Sequence, residues 1–110
     1  MTGFSGYRFM WLMVMFDLPV GTKRQRKRAT RFRNDLLDLG FGMSQFSVYM
    51  RFCGNRDMAE TLVRKVGRKV PPEGTVSVLG FTDRQYGNMT VFHGGAEDTE
   101  DRERKQLLLL

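Results

Sequence analysis

The sequence has few of the residues that build disulfide-bonded, metal-bound or membrane-spanning proteins. It contains one cysteine and one histidine in 110 residues. A lone cysteine excludes an internal disulfide, and a lone histidine beside it argues against a zinc site. The apolar run from Phe9 to Phe16 is far shorter than the roughly 18 residues of a membrane span. We therefore expect a protein of the reducing cytoplasm, with no secretory leader and no membrane partner.

Acidic residues are also fewer than basic residues, and they are unevenly distributed along the chain. The chain has 12 acidic and 18 basic residues, which gives a net charge of +6. Residues 94–110 hold five acids against three bases, so the first 93 residues carry a net charge of +8. We predict one domain over residues 1–93 and a charged, flexible tail over residues 94–110. A domain this basic favours polyanionic partners.

The stretch from Phe9 to Pro19 organises the rest of the chain. Its apolar run predicts a strand over Arg8 to Phe16 that is buried on both faces. Pro19 cannot continue a strand ladder, so the strand ends at Asp17. A carboxylate at the carboxyl end of a central strand lies where ligands often bind in α/β folds.

Six further elements follow this strand. Thr22 caps a helix that runs to about Leu39, and Asn55 or Asp57 caps a second helix that ends before Pro71. Their predicted apolar stripes are Ala29, Phe32, Leu36 and Leu39 in the first helix, and Met58, Leu62 and Val66 in the second. The other predicted elements are a strand over Met43 to Phe52, a strand over Thr75 to Phe81, a turn or short helix over Thr82 to Asn88, and a short strand over Met89 to His93.

The strand over Met43 to Phe52 is predicted to be half-buried. An apolar set alternates with a more polar one that includes Tyr49, so one face is expected to be wet or at an interface. Ten residues is long for a strand, and we expect a bend or split near Met50. The apolar set is Phe46, Val48, Met50 and Phe52.

This order predicts an α+β fold, the ferredoxin-like βαββαβ sandwich with an extra C-terminal strand. Two helices cover one face of the sheet, whereas the first strand is apolar on both faces. A second copy of the chain, packed sheet against sheet, is the simplest way to bury the other face. We therefore predict a homodimer formed through the sheet face, and burial of about 1,000 Å² would suffice for it.

Asp17 and the first helix are the two candidate functional features. Asp17 is either a turn residue that accepts backbone hydrogen bonds or a Mg²⁺ ligand, since Mg²⁺ can bind through one or two carboxylates. The helix carries seven cations before its first acid, which indicates a polyanion surface, with a solvated face as the alternative. The candidate nucleic-acid contacts are Lys23, Arg24, Lys27, Arg28 and Arg31.

Four segments closely resemble the small CRISPR-associated "Cas two" proteins, in the branch that accompanies the large single-effector (type II) systems. They are FDLP after the first strand, DLGF at the end of the basic helix, MSQFSVYMR, and TVSVLGFTDRQYGNM. The resemblance covers about Tyr7 to His93 and implies a ferredoxin-like homodimer. The family is usually described as Mg²⁺-dependent endoribonucleases, and Asp17 matches its metal-binding acid.

The resemblance also implies a role in acquiring CRISPR spacers. In that role the dimer bridges two dimers of the "Cas one" integrase and holds duplex prespacer DNA by its backbone. A scaffold of this kind is the function expected here, and a Mg²⁺-dependent nuclease that uses Asp17 on RNA or DNA is the alternative. A stand-alone module for single-stranded RNA ranks last, because it would need exposed stacking aromatics on the central strands. The acidic tail with its terminal leucines is expected to dock on the partner protein.

Overall fold

The computed structural model describes residues 11–94, which form one antiparallel sheet and three helices. The elements in chain order are β1 (Trp11–Asp17), α1 (Lys23–Asp38), β2 (Gly42–Gln45), β3 (Val48–Phe52), α2 (Arg56–Lys69), β4 (Thr75–Phe81) and α3 (Asp83–Gly87). The strand order is β2-β3-β1-β4, the order expected of a ferredoxin-like fold. The predicted α+β class is therefore confirmed. No helix within residues 11–94 has the length and hydrophobicity needed to cross a bilayer.

The central strand β1 separates two unlike faces. Its even-numbered side chains are buried, and its odd-numbered side chains are half-buried until the exposed Asp17. The even face meets both helices, because side chains alternate along a strand. Neither α1 nor α2 covers the odd face, so burial on both faces is not reached within residues 11–94. The core on the helix side consists of Leu12, Val14, Phe16, Phe32, Leu36, Phe41, Tyr49, Cys53, Ala59, Leu62 and Val66.

Helix α1 begins and ends where the sequence predicts. The Thr22 hydroxyl accepts from the Gln25 backbone N–H, and the Gln25 side chain accepts from the Thr22 backbone N–H. This reciprocal capping box satisfies two donors that a helix start otherwise leaves unpaired. Gly40 follows the helix with a φ of 87°, a conformation that favours glycine and ends the helix.

Helix α2 confirms its predicted cap and corrects its predicted stripe. The Asn55 side chain accepts from the Met58 backbone N–H at 2.8 Å. The buried residues are Ala59, Leu62 and Val66, whereas Met58 is exposed. The prediction that Met58 belongs to the stripe was wrong, because the small Ala59 allows the helix to lie close to the sheet.

The strand predicted over Met43 to Phe52 is a tight hairpin. It breaks at Phe46 and Ser47 instead of near Met50, and Ser47 has a φ of 62°. On β3, the residue set that packs against the helices is also not the one that the hydrophobic pattern suggests. Tyr49 is buried against the helices, and Phe52 is exposed on the far side. Register decides this, because Tyr49 pairs with the core residue Val14 of β1.

We call the sheet face that α1 and α2 leave uncovered the open face. Register places one set of side chains from three strands on it, and most of that set is apolar. Leu79 is 51% exposed there. Its apolar side chains are Trp11, Met13, Met15, Val48, Met50, Phe52, Leu79 and Phe81.

Helix α3 covers one corner of the open face. The Tyr86 ring stacks on the Trp11 indole with centroids 4.0 Å apart, and the indole N–H donates to Asp83 Oδ1 at 3.1 Å. Beyond this helix the prediction of a strand over Met89 to His93 was wrong, because residues 89–94 have no regular secondary structure. A strand needs a hydrogen-bonding neighbour, and the described part of the chain supplies none there. The acidic tail lies outside the described residues, apart from Gly94.

Candidate nucleic-acid interface

The cationic face of α1 is exposed along the first three turns of the helix. Lys23, Arg24, Lys27 and Arg31 are exposed, and Arg28 is half-buried. Lys23 and Arg24 begin the helix, so they lie at the positive end of the helix dipole. The first turn contains no acid that could offset their charge. Cations there are unfavourable by about 0.3–1 kcal/mol each. A locally unfavourable arrangement of this kind is typical of a binding surface.

Helix α2 has an acid at its start and bases at its end, as the helix dipole favours, and its basic end adds to the cationic surface of α1. Asp57 lies in its first turn, and Arg68 and Lys69 lie in its last turn. The tertiary structure brings this basic end beside α1, although the two elements are far apart in the sequence. Together they form a groove of about 300 Å³ with four cations and one acid, which we call the cationic groove. It is lined by Arg28, Arg31, Phe32, Asp35, Arg68, Lys69, Pro71 and Pro72.

Glu73 holds one of the predicted contact residues at the edge of this groove. Its carboxylate accepts from Arg28 at 3.2 Å and from the Gln25 side chain at 3.1 Å. Of the five cations predicted on α1, Arg28 is the one that forms an ion pair within residues 11–94. A phosphate that bound Arg28 would therefore have to compete with Glu73.

Asp17 lies at the rim of a second, open cleft on the open face. It is exposed and pairs in register with Thr75 of β4. The cleft has a volume of about 370 Å³ and combines one carboxylate with three hydroxyls. Its lining residues are Met15, Phe16, Asp17, Phe46, Ser47, Val48, Thr75 and Ser77, and we call it the Asp17 cleft.

Gly74, in the turn that precedes β4, packs against the backbone at Asp17. Gly74 has a φ of 93°, in the region that glycine favours. A Cβ at this position would lie 2.6 Å from the Asp17 carbonyl oxygen and 2.9 Å from a methyl carbon of Leu18. Gly74 therefore permits the close approach that sets the end of β1.

The donors around Asp17 are oxygen atoms, the ligand type that a divalent cation such as Mg²⁺ prefers. Within residues 11–94, no three side chains of Asp, Glu, His or Cys lie together as a ligand group. Asp17 is accompanied by hydroxyls, which are neutral oxygen donors, and Mg²⁺ keeps several waters when proteins supply few ligands. Asp17 is thus the one described carboxylate that lines this cleft, with hydroxyl oxygens as the other polar donors.

The sequence did not predict two features of these sites: the part of the cationic groove that α2 contributes, and the exposed ring beside the Asp17 cleft. Arg68 and Lys69 look like ordinary helix-end cations, and only the packing of α2 against α1 adds them to the groove. Phe46 belongs to an apolar alternation that predicted a strand residue, yet its ring is 82% exposed. The adjacent Ser47, a small polar residue between two apolar ones, was the available sign of a turn at this point.

Comparison with known proteins places the chain in a family. Residues 10–89 match the family model described as CRISPR associated protein Cas2. A protein of Paracidovorax avenae is 57% identical over 90 residues, which cover 82% of this chain and 83% of that one. A protein of Flavobacterium psychrophilum is 42% identical over 108 residues, or 98% and 94% of the two chains.

A third relative, from Parvibaculum lavamentivorans, is 43% identical over 100 residues, which cover 91% of this chain and 99% of its own. All three relatives bear the name CRISPR-associated endoribonuclease Cas2. The match extends over the whole sheet and both long helices. This chain therefore belongs to the Cas2 family of CRISPR-associated proteins.

Proposed function

We propose that this protein acts in CRISPR spacer acquisition as a homodimeric scaffold that holds duplex DNA and bridges two dimers of the Cas one integrase. The cationic groove between α1 and α2 carries this proposal. Four cations line it, and three of them form no ion pair within residues 11–94. Contacts from lysine and arginine to phosphate position a duplex without reading its sequence, as a scaffold for arbitrary spacers requires.

The open face supports the dimer that the scaffold needs. It presents an apolar area at its centre, and its exposed side chains include Phe52 and Leu79. Large exposed apolar patches mark interaction surfaces, and a second copy offers a matching one. A two-fold dimer would also repeat the cationic groove, so that one long duplex could contact both copies.

The test reverses charges on α1 and measures duplex binding against salt. In the double variant Arg28→Glu and Arg31→Glu, both of which line the groove, we expect weaker binding and a shallower dependence of affinity on salt, by about one unit of slope for each lost phosphate contact. The matched control reverses Arg64 and Lys65 of α2, which do not line the groove. Equal losses in both variants would mean that net charge matters and the groove does not.

A second candidate function is cleavage of RNA, and the names of the relatives favour it. Each is called an endoribonuclease, and Asp17 lies in an open cleft where a strand of nucleic acid has access. Asp17 from each copy would hold a Mg²⁺ ion, with the hydroxyls of Thr75 and Ser77 nearby. When bound, Mg²⁺ supplies charge stabilisation at the phosphate and a more acidic water.

Replacing Asp17 by Ala separates the two functions. If the scaffold is the biological function, Asp17→Ala keeps the dimer, the duplex affinity and spacer integration by the partner integrase, whatever happens to RNA cleavage. Loss of integration with an intact dimer and normal duplex binding would instead assign the biological role to the chemistry at Asp17. Asp17→Asn is the matched control, since it keeps the size of the side chain and removes its charge.

A further inference from the structure

The cationic groove already binds one carboxylate, and that carboxylate comes from a distant part of the chain. Glu73 accepts from Arg28 at 3.2 Å and from the Gln25 side chain at 3.1 Å. Asp35 is the one described acid among the lining residues, so the groove keeps an excess of positive charge. Three of its cations form no ion pair within residues 11–94: Arg31, Arg68 and Lys69.

A matching excess of negative charge is concentrated in one short segment of the sequence. Residues 97–101 read EDTED, with four carboxylates and no base, and we call them the acidic segment. The chain has 12 acids, so a third of them lie in this segment. The bases of the tail come after it: Arg102, Arg104 and Lys105. A block of one charge interacts with an oppositely charged surface more strongly than an alternating sequence of the same net charge.

The chain is long enough for the acidic segment to reach the groove within one molecule. Pro72, at the wall of the groove, lies three residues before β4, and the seven residues of β4 span about 24 Å. Helix α3 follows β4 and is capped by Asn88. The nine residues from Asn88 to Glu97 can span up to about 30 Å when extended.

The groove suits these carboxylates better than the open face does. Arginine forms strong, often bidentate hydrogen bonds with carboxylates, and the Arg28–Glu73 pair is an example at this groove. The open face is mostly apolar, so carboxylates buried there would lack partners.

We propose that the acidic segment docks in the cationic groove of its own protein, where its carboxylates pair with Arg31, Arg68 and Lys69, and that nucleic acid has to displace it. A short polyanion then competes poorly, whereas a long duplex that contacts the grooves of two copies displaces both segments. The competition with duplex rests on the proposed function. The docking itself rests only on the charges of the groove and the segment.

The first experiment changes the order of the charges in the tail and keeps their sum. In a full-chain variant, residues 97–105 are shuffled so that acids and bases alternate, which leaves the net charge unchanged. We expect its affinity for labelled duplex and for inorganic polyphosphate to rise about three-fold or more at low salt, because the groove is no longer covered. The gain should shrink as the salt concentration rises, since exposed ion pairs are screened.

The second experiment measures docking without nucleic acid. A labelled peptide of residues 95–101 should bind the shuffled variant, and it should bind the wild type about three-fold or more weakly, because the chain's own segment competes. Adding Arg68→Gln and Lys69→Gln to the shuffled variant should abolish peptide binding. The matched control adds Arg64→Gln and Lys65→Gln, which lie outside the groove, and should keep it.

Two results would overturn the inference. One is a shuffled variant that binds duplex and polyphosphate as the wild type does, and the other is a peptide that does not distinguish the groove variant from its control. Failure of the proposed function looks different, because the peptide would still bind the groove while duplex affinity ignored the groove variants. If duplex binding needs the groove but the shuffled tail changes nothing, the proposed function stands and the docking does not.

Discussion

Arg28 donates a hydrogen bond of 3.2 Å to Glu73, and this ion pair lies at the edge of the cationic groove. The side chains are partly exposed, so the pair contributes only about 0.2–1 kcal/mol to stability. If the groove binds phosphate as proposed, Glu73 competes with the phosphate for Arg28. We therefore expect the loop before β4 to lower the affinity of the groove for polyanions.

We expect Glu73→Gln to raise duplex affinity by a few-fold, with little change in thermal stability. The control is Glu60→Gln, which removes the acid of the Arg56–Glu60 pair on α2, away from the groove. Fluorescence anisotropy of a labelled duplex at fixed ionic strength measures the difference. If both variants gained affinity equally, the effect would come from net charge and not from release of Arg28.

The open face makes a prediction about the oligomeric state. Leu79→Glu should shift the protein from dimer to monomer in sedimentation velocity, because a charge buried in an apolar interface is strongly unfavourable. Leu37→Glu is the matched control: Leu37 and Leu79 are both 51% exposed in the single chain, but Leu37 lies on α1. A monomeric wild-type protein, or a dimer that survives Leu79→Glu, would contradict the predicted dimer.

Gly74 makes a prediction about the geometry of Asp17. Gly74→Ala should lower the free energy of unfolding by about 1–3 kcal/mol, since alanine is strained at this φ and its Cβ would meet the Asp17 carbonyl. Gly67→Ala in α2 is the control, because a Cβ there meets nothing within 4 Å. That variant should gain about 0.5–1 kcal/mol from helix propensity. Equal denaturation midpoints for the two variants would refute the role of Gly74.

Cys53 makes a prediction about pH. Burial raises the pKa of its thiol, and the nearby Arg51 guanidinium offsets part of the increase. The folded thiol keeps its proton at a pH where the unfolded thiol has lost it, so this contribution to stability is complete below the unfolded pKa and is lost as pH rises through the folded pKa. We expect the stability difference between wild type and Cys53→Ser to shrink at alkaline pH, as measured by urea denaturation. A difference that stays constant across this range would contradict it.

The features that were predicted correctly depend on contacts between residues close together in the chain. Thr22 with Gln25, and Asn55 with the backbone of Met58, start the helices through contacts within one turn. The apolar run of β1 and its stop after Asp17 are equally local. The family resemblance rests on the same segments, and the comparisons confirm it.

The surfaces that these elements share depend instead on how the sheet and helices pack together. Register, and not hydrophobicity, buried Tyr49 and left Phe52 exposed, because pairing with β1 determines the face of every residue on β3. Packing of α2 against α1 added Arg68 to the groove, and the loop before β4 brought Glu73 to Arg28. These are contacts between residues distant in the chain, whose geometry depends on the whole sheet, and no local pattern encodes them.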